Sequence, residues 1–277
     1  MKKIFLLLML FMIMAFSWWS FGEDVTAETP AHGNRHSQSF YAVKKEMLDN
    51  IYFDHKQTLY CGAMWNSRKK IIPPKGFKLP NLRKVDFTLY DNVSAEELQR
   101  KSERMEWEHI VPAQNFGKTF TEWKDGHKNC TFGAGKKYKG RKCAEQQSEE
   151  FRYMYTDMYN LYPSIGAVNF LRAHFNMTQF DAKMPATFGA CQMKISRNKA
   201  EPPDEVKGLI ARTYLYMQHT YSRYRIGEPM QGILKAWNKK YPVTKWECTR
   251  AYRIEKLQGN ANVVVKPQCR EKGWYKD

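Results

Sequence analysis

Behind the basic opening Met1-Lys2-Lys3, residues 4–16 form an unbroken apolar run of thirteen residues, and Val25-Thr26-Ala27 offers small residues before a cut. That layout predicts a secretory signal peptide over residues 1–27. The competing reading is an uncleaved anchor, because Trp18, Trp19 and Phe21 extend the run towards the roughly 20 residues a bilayer crossing needs. Residues 28–58 read as a polar N-terminal extension whose first part, to about residue 40, is flexible. One domain follows over residues 59–277.

Within that domain, Ile71-Ile72-Pro73-Pro74 breaks any regular element, and Ser94-Ala95-Glu96-Glu97 fits a capping box opening a short helix. Met105, Trp107 and His109 alternate with Glu106 and Glu108, which predicts a strand stopped by Pro112 with Glu108 and His109 on opposite faces. Residues 119–142, rich in Gly, Lys and aromatics, read as a loop pinned by Cys130 and Cys143. A helix is expected over 149–161. Pro163 suits the first turn of a second, over 164–174, on which Asn169 and Arg172 share a face.

Pro202-Pro203-Asp204-Glu205 opens a longer helix with the inner stripe Val206, Ile210, Thr213, Met217 and Tyr221. A further helix carries Met230, Ile233, Leu234 and Trp237 and ends before Pro242. These stripes read as core. The sum is an α+β domain, mostly helical with a few short strands, and no internal repeat.

Charge narrows the partners. Lys and Arg number 45 against 28 Asp and Glu, a formal net charge of +17, and within residues 1–27 Lys2 and Lys3 cancel Glu23 and Asp24. Such an excess attracts polyanions in a salt-sensitive way without implying catalysis. Runs such as Trp65-Asn66-Ser67-Arg68-Lys69-Lys70 and Tyr138-Lys139-Gly140-Arg141-Lys142 mix aromatics with cations, and the basic loops around Lys69 and Lys136 read as a phosphate-holding footprint that does not read bases.

All six cysteines lie beyond the signal. An even count in an exported chain predicts three disulfides, which fifteen pairings allow, and no Cys-x2-Cys spacing suggests zinc. Cys130–Cys143 and Cys248–Cys269 would close modest loops and leave Cys61–Cys191 as the long-range staple.

The candidate chemistry centres on Glu108-His109. Phosphodiester hydrolysis needs an activated water, charge neutralisation on phosphate and help for the departing oxygen. A carboxylate can hold a hard divalent cation, and a neighbouring imidazole can take a proton near neutral pH. Asn169 on the downstream helix adds an amide oxygen. With Glu108 it could bind one Mg²⁺ and leave the remaining positions to water and phosphate.

Glu106-Trp107-Glu108-His109-Ile110-Val111-Pro112-Ala113, Lys128-Asn129-Cys130, Asp157-Met158-Tyr159-Asn160-Leu161 and Pro163-Ser164-Ile165-Gly166 resemble bacterial endonuclease I, a periplasmic or secreted nuclease family. Ala200-Glu201-Pro202-Pro203, Ile210-Ala211-Arg212-Thr213-Tyr214, Tyr241-Pro242-Val243-Thr244, Trp246-Glu247-Cys248 and Gln258-Gly259-Asn260 continue the resemblance, which covers roughly residues 60–269 in order. It implies a ββα-metal finger fold and Mg²⁺ or another divalent cation. It also implies cleavage of DNA, and often RNA, with little sequence preference. Carried over, Glu108 and Asn169 are metal ligands and His109 the general base.

The family's phosphate-stabilising arginine falls on or beside His127, so His127 or Lys128 is expected to supply that charge, with Arg172 a further phosphate candidate. Tyr155 stands where a glutamate is usual, Ala167 and Leu171 replace acidic residues, and Ala63 sits where a further cysteine would pair. The chain is expected to be an exported monomer with no small-molecule cofactor and no stable membrane association after processing. Two alternatives follow: an exported nucleic-acid-binding protein disabled by those replacements, or a binder of an anionic envelope polymer.

Overall fold

The computed structural model describes residues 33–81 and 93–275; the expected signal peptide lies outside the described residues. In chain order the elements are α1 (Phe40–Glu46), widening into a π-turn over Met47–Ile51, β1 (Met64–Trp65), β2 (Ile71–Ile72), α2 (Ala95–Ser102), β3 (Met105–His109), α3 (Ala113–Gly117), α4 (Thr121–Lys124), α5 (Arg141–Gln147) and α6 (Glu149–Tyr155). They continue with β4 (Leu161–Ile165), α7 (Gly166–Arg172), β5 (Asn176–Met177), β6 (Lys194–Ser196), β7 (Lys199–Glu201), α8 (Asp204–Thr220), α9 (Glu228–Lys240), α10 (Lys245–Gln258) and α11 (Val265–Glu271). The strands form two antiparallel pairs, β1–β2 and β3–β4, and a three-stranded sheet in the order β5-β7-β6. The domain is mixed, and helix-rich as the hydrophobic periodicity predicts.

Local chemistry accounts for several boundaries. The Ser94 hydroxyl accepts from the Glu97 amide at 3.0 Å, and Thr244 caps α10 in the same way through Glu247. α10 ends on Gly259 at φ 84°, a left-handed closure that glycine adopts without strain. On α8, Ile210, Thr213 and Met217 are buried as their spacing predicts.

Three expectations are corrected. The helix over 149–161 stops at Tyr155, where Asp157 caps a 3₁₀ turn over Met158–Asn160, and β4 follows. Pro163 and Ser164, expected to start a helix, belong to that strand, with Pro163 opposite Trp107 and its carbonyl accepting from the Leu59 amide at 2.8 Å. A two-stranded sheet is all edge, so the missing proline N–H is tolerated. Residues 33–58, expected as a polar extension, are built into the domain. Asn34 is 1 % exposed and donates to the Tyr153 carbonyl and Thr156 hydroxyl, while Val43, Met47 and Ile51 join the core.

β3, β4 and α7 form the frame of the site. The register runs from Met105↔Ile165 to His109↔Leu161, and the Asn160 side chain closes the strand end by pairing with both the amide and the carbonyl of Val111. α7 then folds back over β3. A Cβ on Gly166 would lie 2.6 Å from the Lys101 carbonyl oxygen and 3.0 Å from the Glu106 carboxyl carbon, so only glycine permits this approach.

Buried polar groups tie the helices to this frame. Arg250, 2 % exposed, donates to the hydroxyls of Tyr52 and Tyr162 and to the carbonyls of Met158 and Leu161, at 2.6–2.8 Å. Arg212 forks onto both oxygens of Glu247 at 2.7 Å. The three disulfides are Cys61–Cys191, Cys130–Cys143 and Cys248–Cys269, as the spacing suggested, and no cysteine is free.

Arg250→Leu leaves two buried hydroxyls and two carbonyls without their common donor. It should lower unfolding free energy by about 3 kcal/mol or more in denaturant titration. A loss below about 1 kcal/mol would show that Arg250 does not brace β4 against α10.

Candidate active site

At the end of β3, the alternation of side chains separates two environments. Glu108 points inward and is 2 % exposed. Its Oε1 accepts from the Tyr60 hydroxyl at 2.6 Å and from Arg172 Nη1 at 2.9 Å. Burial raises the carboxyl above its ordinary range, and the Arg172 charge and Tyr60 bond oppose that rise. Both bonds end on Oε1. Among the described residues Oε2 accepts none, and Glu108 lines a cleft of about 390 Å³ with Glu106, His109, Arg141, Asn169 and His174.

Asn169 enters the same cleft from α7. Its Nδ2 donates to Glu106 Oε2 at 3.2 Å and lies 3.5 Å from the Trp107 carbonyl. Both neighbours are acceptors, so the amide nitrogen must face them. The Oδ1 atom takes the other direction and accepts no bond among the described residues. Glu106 is held on its other oxygen by Lys101 at 3.2 Å.

His109 is half-buried and lines the cleft. Its Nε2 sits 2.9 Å from the Tyr155 carbonyl, which can only accept, so Nε2 carries the proton and Nδ1 is the basic nitrogen. The imidazole stacks on Tyr155 (centroids 4.6 Å, 13°), and Phe40 packs against both rings at 5.4 Å and 4.8 Å. This burial, with the Arg141 and Arg172 charges, lowers the imidazole to about 3, although the Tyr155 bond pulls upward. It is therefore neutral at physiological pH.

The remaining predicted residues are placed differently. Arg172 cannot contact a phosphate: it is fully buried, and its terminal nitrogens donate to Glu108, the His109 and Ile110 carbonyls and the Tyr214 hydroxyl. It braces the strand end instead. His127 and Lys128 do not line the cleft. His127 Nδ1 accepts from the Asn129 amide at 3.2 Å, which turns the ring into its own loop. The cation on the cleft wall is Arg141, at the start of α5, with its guanidinium 5.6 Å from the Tyr155 ring centre.

Sequence reading placed Arg141 only within a basic run. The start of α5 that carries it is tied down by the Cys130–Cys143 bond and by the Gly140 amide donating to the Trp123 carbonyl. Phe40 lies in the segment expected as an extension, and Tyr155, which the sequence marks only as a departure from the family, acts through its carbonyl, which no side-chain pattern encodes. His174 is a second cleft histidine, also lowered by burial and by the Lys118 and Arg172 charges.

No cluster of three or more His, Cys, Asp or Glu suited to a metal occurs among the described residues. The candidate donors are therefore two oxygens, one carboxylate and one amide. Such a set fits a hard cation that keeps most of its own water, as Mg²⁺ does, and not a zinc cage.

The Endonuclease I family model matches residues 39–269. The chain is 38 % identical to an extracellular deoxyribonuclease of Aeromonas hydrophila over 245 residues, covering 87 % of this chain and 93 % of that protein. It is 35 % identical to a periplasmic deoxyribonuclease of the same organism, covering 90 % and 94 %. It is 32 % identical to Endonuclease-1 of Buchnera aphidicola subsp. Baizongia pistaciae, covering 88 % and 89 %. With the match spanning the frame, the cleft and all three disulfides, the chain belongs to the endonuclease I family.

Proposed function

We propose that this protein is an exported, divalent-cation-dependent endonuclease that hydrolyses DNA with little sequence preference. The observation that carries the reading is a neutral, half-buried imidazole in one cleft with two unengaged oxygens and an arginine. The extracellular and periplasmic deoxyribonucleases among its relatives support the substrate and the export, as do the apolar leader and three disulfides. A ββα-metal arrangement built from β3, β4 and α7 is part of this reading, supported by the antiparallel β3–β4 pairing and the packing of α7 against both strands.

In this reading Glu108 Oε2 and Asn169 Oδ1 would hold the cation. When bound, it supplies charge neutralisation on the scissile phosphate. His109 Nδ1 accepts a proton from the water that attacks phosphorus. The bond from phosphorus to the departing 3′ oxygen breaks, and that oxygen takes a proton from solvent. The Tyr155 carbonyl keeps the ring in the tautomer and orientation that allow the first transfer. Arg141 reaches the non-bridging phosphate oxygens, where a planar guanidinium can donate two bonds at once. Arg172 and Tyr60 do not touch substrate; they fix one Glu108 oxygen so that the other stays turned to the cleft. The replacements at Tyr155, Ala167 and Leu171 leave this set complete: the Tyr155 contribution is a main-chain carbonyl, and Ala167 and Leu171 are buried.

Plasmid DNA should be nicked by the purified protein with Mg²⁺ and left intact with EDTA, and His109→Ala should cut the rate by about 10²–10⁴-fold. Binding without divalent-dependent cleavage would instead support the disabled, binding-only alternative. Turnover within a few-fold of the parent in His109→Ala would remove this residue as the base.

Arg141→Ala should lower kcat by about 10²-fold or more, the usual effect of deleting one donor to a charged transition state. His127→Ala should stay within a few-fold, since its ring faces its own loop. The reverse ranking would return the phosphate contact to His127.

A further inference from the structure

From Gly126 to Ala144 the chain has six cations, Lys128, Lys136, Lys137, Lys139, Arg141 and Lys142, and no acidic residue. Its middle, residues 130–138, folds into a hairpin, and its end enters α5 at Arg141. Thr131 bridges Lys137, the Phe132 amide donates to the Lys136 carbonyl at 2.7 Å and the Tyr138 amide to the Cys130 carbonyl at 2.9 Å. The Cys130–Cys143 bond closes its base. Gly133 and Gly135 turn the tip, and a Cβ on either would meet no atom within 4 Å, so the tip stands clear in solvent.

The flank of the hairpin carries an aromatic pair. Phe132 is 46 % exposed, packs on Tyr138 at 4.5 Å, and has Lys142 Nζ 4.7 Å from its ring centre. Lys142 also lies 5.1 Å from the Tyr138 ring, so one cation serves both faces. The hairpin adjoins the catalytic cleft. Arg141, which lines the cleft, is the residue before Lys142, and Gly140 is bonded to the carbonyl of Trp123 on the cleft wall.

Charge alone explains the lysines, which any phosphate backbone would satisfy. It does not explain an exposed phenylalanine held among them. An aromatic face within a cationic strip is what an unstacked nucleobase requires, because each base adds a π-face to stack and each phosphate a charge to neutralise. Bases inside a continuous duplex already stack on each other and offer no free face. Single strands, loops and frayed ends do.

We propose that the Cys130–Cys143 hairpin is a stacking platform for an unpaired nucleobase flanking the scissile phosphate, with Phe132 supplying the stacking surface. The proposal rests on the nuclease reading of the adjacent cleft and adds to it a site for single-stranded segments. It replaces the sequence-level reading of this loop as a purely electrostatic footprint.

The test uses the full mature protein in EDTA, so that binding is read without cleavage. The probes are a single-stranded oligonucleotide carrying 2-aminopurine and a duplex of the same sequence. Stacking should quench the 2-aminopurine fluorescence on binding. Phe132→Ala should abolish the quench and weaken single-strand affinity by roughly 5- to 150-fold, the range for loss of one base–aromatic stack. Duplex affinity should change by no more than about two-fold, with the salt dependence of single-strand binding unchanged because no phosphate contact is removed.

Phe132→Trp should restore quench and affinity. Phe132→Leu, which keeps apolar packing on Tyr138 but has no π-face, should not. Equal losses on both probes, or single-strand affinity retained in Phe132→Ala, would overturn the proposal in favour of electrostatics alone. Phe132-dependent quenching without any Mg²⁺-dependent cleavage would uphold the hairpin while refuting the catalytic reading.

Discussion

A guanidinium and a carboxylate taken out of water must satisfy one another, because either left alone would cost about 3–5 kcal/mol. Arg172 and Glu108, 0 % and 2 % exposed, are in that position. Arg172 joins α7 to the end of β3 through three bonds at once, to the Glu108 carboxylate and to the carbonyls of His109 and Ile110. Because α7 also carries Asn169, this pair sets where the amide stands relative to Glu108 and His109. Gly166 permits the approach and the Asn160–Val111 pairing closes the strand end.

A buried ion pair is weak evidence for stability as such, and its worth here is positional. One carboxylate oxygen is consumed by Arg172 and Tyr60 and the other is left to the cleft. The same division of labour appears in Asn169, whose nitrogen is spent on Glu106, and in His109, whose Nε2 is spent on Tyr155. Each side chain is oriented by half of its polar atoms and offers the other half. Partners of this kind keep functional groups from collapsing onto one another in the absence of ligand.

Much of this was legible in the sequence, but unevenly. Glu108, His109 and Asn169 are legible through the Glu-His pair and the resemblance to endonuclease I, and the structure brings all three to one cleft. The observed cysteine pairing is the one the loop lengths favour among fifteen possible. Arg172 was legible as a partner of Asn169 on one helix face. Its role was not, since the i, i+3 spacing does not say which side of α7 is inward. β4 was misread because Pro163-Ser164 favours a helix start locally, and only pairing with β3 overrides that preference. The segment from Gly33 to Ile51 looked polar because its buried contacts are made by a few residues, Asn34, Phe40, Val43 and Met47, scattered among charged ones. Arg141 stands on a helix start tied down by a disulfide and one backbone bond, and no local pattern encodes such a tertiary placement.

In the proposed reading Glu108 and Asn169 present one oxygen each to a single divalent cation beside His109. Mn²⁺ binding followed by electron paramagnetic resonance, with no nucleic acid present, tests it most directly. The wild-type protein should bind one Mn²⁺ per chain, while Glu108→Gln and Asn169→Ala each weaken that binding by about tenfold or more, the scale expected when a metal site is disturbed. His109→Ala should leave it unchanged. Wild-type stoichiometry and affinity for Mn²⁺ in both ligand variants would place the cation elsewhere.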